Sequence, residues 1–285
     1  MTTDNHTSYI RAPIALVVTE IRFPGELGSA ISTGVQRAFR EAFGDDWIVE
    51  LPQQPTLSVN LNNPSWMPPS IVSGPAQYPP GAILRLTLRD RTAAVALTAG
   101  TVSVETTNYA NWPGFRAILE KAIGATTELL RPEGITRVGV RYIDEVRVGD
   151  SPDWLKWLSP DVQAPCAAQM VEYGWSPIAW NGMAQYGIGD DRQLVLRYAP
   201  QAQPPGFIVD PAGPLRRVGP PPAGPFFILD FDAFWQPSAI PSWIGDALLE
   251  ACDQLRRPIR ALFDQIITDH LVTEVFNNDR EGERQ

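Results

Sequence analysis

The period of hydrophobic and polar positions changes several times along the chain, and each change marks a predicted element. APIALVVTEIRF, residues 12–23, is rich in β-branched side chains and reads as a strand closed by Pro24 and Gly25. ELGSAISTGVQRAFREAFG then places Leu27, Ile31, Val35, Ala38, Phe39 and Ala42 near helical spacing, with Gly44 as a stop. A weaker strand is predicted over 56–61, after which the prolines of NNPSWMPPSIVSGPAQYPPG exclude regular structure. From Ala82, the segments AILRLTLRD, TAAVALTAG and TVSVETTNY form a meander. In the first of them Leu84, Leu86 and Leu88 alternate with Ile83, Arg85, Thr87 and Arg89, which predicts one buried and one wet face. NWPGFRAILEKAIGATTELL reads as a helix with Asn111 as N-cap and Pro113 in its first turn.

The second half repeats that order. ITRVGVRYIDEVRV (135–148) is a long strand, and SPDWLKWL opens a short helix behind Ser151 or Asp153. Strands follow over 169–180 and 183–188, with DRQLVLRYA (191–199) as a hairpin partner. After a second proline-rich loop comes FFILDFDAFW (226–235), then a long helix over about 241–276 that Pro258 should kink or split. The predicted fold class is α+β: two similar strand-helix-meander-helix units, with antiparallel sheets packed against long helices. Their expected spans are 12–132 and 135–277, between a flexible N-terminus (1–11) and a flexible tail (278–285).

Composition narrows the function classes. The 285 residues are 44% hydrophobic and 19% charged, an ordinary globular balance. A net charge of −9 argues against direct nucleic-acid binding through phosphate neutralisation and suits a basic protein partner instead. Cys166 and Cys252 stand far apart with no CxxC, so neither a disulfide framework nor a zinc site is indicated, and a reducing cytoplasm is the expected location. No apolar run reaches the roughly 20 residues of a membrane span. The composition is compatible with a homo-oligomer.

RVGVRYIDEV resembles the "RxGLRYIN" strand of a sporadically distributed prokaryotic protein family. PIALVVTEIRF is similar to that family's opening "PIvEvxxxIrF", TTNYANWPGF to its "Y.xWexF" junction and LFDQIITDHL to its "F...IT..L" helix. The resemblance spans nearly the whole chain. It implies boundaries and an association with mobile or defence-related loci, without an established activity. Asp144 stands where the family tends to carry asparagine.

Candidate chemistry centres on FFILDFDAFW. Residues two apart in a strand share a face, so Asp230 and Asp232 point the same way, about 6 to 7 Å apart. Such a pair could chelate Mg²⁺ or Mn²⁺ with a third carboxylate, or lie on the solvent side of a strand leaving cover. There is no GxSxG, no Walker A lysine and no dinucleotide glycine pattern, and the two histidines, His6 and His270, form no triad in sequence; no cofactor is called for. The 25-residue stretch 201–225 exceeds ordinary connection lengths and carries Phe207, Leu215, Arg216 and Arg217; the first proline-rich loop offers Trp66, Met67 and Tyr78. Aromatic and arginine side chains on such loops are common interface anchors. The leading expectation is a non-catalytic protein that binds a protein partner, of antitoxin, immunity or phage-defence type. One alternative is a small-molecule binder with an apolar pocket lined by some of Trp175, Trp180, Tyr186 and Trp235. The other is a metal-dependent enzyme acting on nucleotides or phosphodiesters through Asp230 and Asp232.

Overall fold

A computed structural model describes residues 9–25, 33–50, 84–98, 100–149, 152–201, 208, 214–219 and 224–277. The strands are β1 (Ile14–Arg22), β2 (Trp47–Glu50), β3 (Leu84–Leu88), β4 (Ala93–Leu97), β5 (Thr101–Thr106), β6 (Arg137–Val146), β7 (Gly182–Gly189), β8 (Arg192–Gln201) and β9 (Phe226–Trp235). They form one 9-stranded antiparallel sheet in the order β2-β3-β4-β5-β1-β6-β9-β8-β7. The sheets of the two expected units, which the repeated element order allows to run on from one unit into the next, are one. β1 and β6 pair over eight positions at its centre, from Ile14 opposite Asp144 to Arg22 opposite Arg137, so neither strand is left with an open backbone edge.

Three helices, α1 (Thr33–Phe43), α2 (Trp112–Leu130) and the long helix α5 (Gly245–Ile266), contribute to the larger core. Val17, Ile21, Val104, Val140, Leu196 and Phe231 project from the strands to meet Phe115 and Leu119 of α2 and Leu248, Leu255 and Ile259 of α5. The predicted start of α2 holds: the Asn111 side chain accepts from the Gly114 amide at 2.8 Å, and Pro113 needs no intrahelical partner there. Pro258 does not divide α5, which runs through it. The carbonyl released by its missing N–H belongs to Gln254, an exposed residue whose backbone water can reach. The break comes instead at Ile267 and Thr268, where the Thr268 side chain caps the next turn by accepting from the Leu271 amide at 3.2 Å.

Other expectations are corrected. The strand expected over 169–180 is the short helix α4 (Ala167–Val171), which follows α3 (Trp154–Trp157), and then irregular chain; Gly174, at φ 73°, turns the backbone away from either regular form. β2 escaped notice because it is only four residues long. Arg85 and Thr87 lie on no wet face: both are buried, so β3 is covered on both sides. Of the expected flexible N-terminus, Tyr9 is held between Phe263 and Phe276 and donates its hydroxyl to Asp264 at 3.0 Å. Residues 1–8, the strand expected over 56–61 and the tail 278–285 lie outside the described residues. Among the described residues, no helix is long and apolar enough to cross a membrane.

Candidate functional site

The face of the sheet opposite the described helices carries an array of ions. β9 lies between β6 and β8, with Asp232 opposite Arg141 and Val195, and Asp230 opposite Ile143 and Arg197. Asp230 is 1% exposed, which overturns its expected place on a solvent side. Arg141 grips it with Nε to Oδ1 at 2.7 Å and Nη2 to Oδ2 at 2.8 Å, and Arg197 adds Nη1 to Oδ2 at 3.4 Å. Burial works to lower the pKa of Arg141, but the hydrogen bonds and charge of Asp230 outweigh it and raise that pKa. Asp232 receives Arg137 at 3.4 Å, and Arg137 also reaches Glu20 at 3.0 Å. A Cβ on Gly139 would sit 2.5 Å from Arg137 Nη1, so glycine is what lets that arginine lie across its own strand.

Further along the same face Arg85 meets Glu105 at 2.5 Å, and burial raises the Glu105 pKa against the opposing effect of Arg85. Arg147 and Arg217 together clamp Glu145. Both expected carboxylates are thus engaged by guanidinium groups. Among the described residues, no group of three or more His, Cys, Asp and Glu side chains is placed to hold a metal ion.

The remaining predicted site residues separate. Leu215 is buried in a small core with Leu16, Ile143, Phe226 and Ile228, so it is packing and not an exposed anchor. Arg217 is committed to Glu145, whereas Arg216 is exposed, with its amide bonded to the Arg91 carbonyl at 2.8 Å. Trp180 faces inward: its ring packs on Phe227 and its Nε1 donates to the Val162 carbonyl at 3.0 Å. Trp235 borders a shallow depression of about 430 Å³ with Asp190, Arg192 and Pro237, away from the sheet-helix interior where a pocket was expected. Trp66, Met67, Tyr78 and Phe207 lie outside the described residues.

Trp175 lies on the surface. It is 64% exposed, its ring 5.6 Å from that of Tyr173, and it is followed by Ile178 at 93% and Met183 at 65%. These side chains lead into and occupy β7, the last strand of the sheet, paired on one side with β8 and on the other with no described strand. Residues 173–189, YGWSPIAWNGMAQYGIG, contain no charged side chain. Open edges are ordinarily protected by charge, proline or a covering element, because an unpaired row of N–H and C=O groups recruits another strand. β7 itself has no charge and no proline, and most of it is exposed. Gly182 is also constrained from within, since a Cβ there would lie 2.1 Å from the Tyr198 ring. The uncharged run was visible in the sequence, but the predicted strand over 169–180 hid it by making β7 an interior member of a hairpin.

No protein-family model matches this chain, and no curated protein matches it.

Proposed function

We propose that the protein is a non-catalytic binding module that docks a protein partner along the β7 edge and the exposed aromatic segment before it. The observation that carries this reading is the uncharged run 173–189, which ends in β7, an edge strand with no described strand on its outer side, and which exposes Trp175, Ile178 and Met183. Backbone pairing at an edge supplies affinity, and side chains on alternate faces supply selectivity. The net charge of −9 would draw a basic partner at long range, while the contact itself is apolar. An antitoxin, immunity or phage-defence component is the class proposed, on the motif resemblance. The reading extends to the fold. β1 to α2 and β6 to α5 each run strand, helix, meander, helix, and in each the last meander strand pairs with the first, consistent with two similar units joined edge to edge at β1 and β6.

The competing readings have less support. Asp230 and Asp232 are neutralised by arginines, and the four aromatic residues proposed to line one pocket divide between core, surface and a shallow depression. A photocrosslinking amino acid at position 178, introduced in cells that naturally carry the protein, is expected to yield a protein adduct. The same group at position 120 on α2, Glu120 in the native chain, should yield none. If neither position gives an adduct, the docking reading fails. Trp175→Ala is expected to change stability by no more than about 0.5 kcal/mol, so loss of the adduct in that variant would report docking and not unfolding.

A further inference from the structure

We infer that the occupant of the β7 edge is the β7 edge of a second copy, the two chains forming one continuous antiparallel sheet about a two-fold axis at Gln185. This rests on the docking of a protein along the β7 edge, and takes a second copy as the occupant in place of a basic partner drawn by net charge, because residues 173–189 carry no charge to be matched. Met183, Gln185 and Gly187 share one face of the sheet with Arg197, Val195 and Gln193; Ala184 and Tyr186 share the other with Leu196 and Leu194. About an axis normal to the sheet, directly opposed residues must lie on the same face.

With Gln185 on the axis, Met183 stands opposite the partner subunit's Gly187, and Tyr186 opposite the partner subunit's Ala184. Each large apolar side chain then meets one that is small or absent. The two Gln185 amides, each able to donate and accept, meet at the centre. Moving the axis to Met183 or Tyr186 instead opposes two large side chains directly. The register slip between Gly187 and Gly189 ends the regular ladder just beyond the paired stretch.

Charge points the same way. In a chain of net charge −9, apposing two copies brings like charges together over most surfaces, and residues 173–189 bring none. Edge protection by charge is confined to the turn after the strand, at Asp190 and Asp191, and the bulge lies at the same end, so the stretch from Gly182 to Gly187 carries neither.

Sedimentation of the purified chain at micromolar concentration is expected to give about twice its 31.4 kDa mass. Met183→Lys and Tyr186→Lys each alter an exposed position, so both should sediment at the single-chain mass, with the melting temperature of wild-type protein diluted until it too is a single chain. Register is read by disulfide trapping in a Cys166→Ser background. Gln185→Cys should cross-link to itself, and Ala184→Cys should cross-link only when mixed with Tyr186→Cys. A wild-type chain that is monomeric throughout, or a dimer indifferent to both lysine substitutions, overturns the second-copy assignment. Self-trapping of Ala184→Cys overturns the Gln185 axis. A monomeric purified chain that still yields an adduct at position 178 in cells leaves the docking reading standing with a different protein as partner; absence of both ends the two together.

Discussion

Arg141→Ala is expected to lower the unfolding free energy by about 3 kcal/mol, among the largest effects of any single substitution on the ion-bearing face of the sheet. Asp230 is 1% exposed and owes its two short hydrogen bonds, 2.7 and 2.8 Å, to this one arginine. Removing the guanidinium leaves a carboxylate that water cannot reach, with only the longer 3.4 Å contact from Arg197. Arg197→Ala should therefore cost less, about 1 kcal/mol, because the paired fork remains. The double variant Arg141→Met with Asp230→Leu should recover part of the loss, since it removes the stranded carboxylate and fills the volume with apolar groups, while Arg197 gives up its own contact with Asp230. Urea midpoints of the three variants test the order. An Arg141→Ala midpoint within error of wild type would mean that Asp230 does not depend on this pair. The same proteins probe the enzyme reading: millimolar Mg²⁺ or Mn²⁺ is expected to leave the wild-type melting temperature unchanged, and a rise would mean that a metal competes successfully for the carboxylates.

Much of the fold was legible because it depends on local rules. Asn111, Pro113 and the apolar spacing of Phe115, Leu119 and Ala122 are sufficient to place α2, and the β-branched run 14–22 to place β1. Joining everything in one sheet was less accessible, because β1 pairs with β6 across more than a hundred intervening residues and no local signal encodes that register. The fate of Arg85 shows the limit of alternation. Arg85 sits at a polar position of a half-apolar strand, but Glu50 on adjacent β2 and Glu105 on β5, reached across β4, neutralise it, so the polar face is buried as well. Alternation reports which residues share a face, and neighbours decide whether that face is wet.

The same distinction separates what was right about the FFILDFDAFW strand from what was wrong. Sorting by face put Asp230 and Asp232 together with Phe226 and Ile228, and the pairing agrees. Exposure could not be read, because it comes from strands on either side. A signal existed in β6, whose face toward the aspartates carries Arg137, Arg141, Glu145 and, beyond its end, Arg147 in steps of two and four. A strand with arginines on one face and another with aspartates on one face are natural neighbours. The exposed edge was legible in a different way, as a long uncharged run in an acidic chain, and it was lost to a misplaced strand boundary.

Asp144→Asn is expected to stabilise the protein by several kcal/mol at pH 8 and by almost nothing near pH 4. Asp144 projects from β6 into the helix side of the sheet, opposite Leu229, and is 3% exposed. Burial pushes its carboxyl up from 3.8 to about 8, the Arg260 charge pulls the other way, and Asp230 adds to the rise. In the unfolded chain the group ionises at its ordinary value, while the folded chain holds the proton until about pH 8. Between those limits the unfolded state binds fewer protons than the native state, so stability falls as pH rises and levels off above the folded value. A displacement of about four pKa units corresponds to an upper figure of about 5 kcal/mol. Asparagine matches the shape, stays neutral at every pH and leaves Arg260 its 2.9 Å contact with Asp264. Urea midpoints measured from pH 4 to 9 should start together for the two proteins and diverge with pH, the wild type falling below the variant. Parallel curves would show that Asp144 ionises in the folded chain at its ordinary value, with its charge stabilised by Arg260 despite burial.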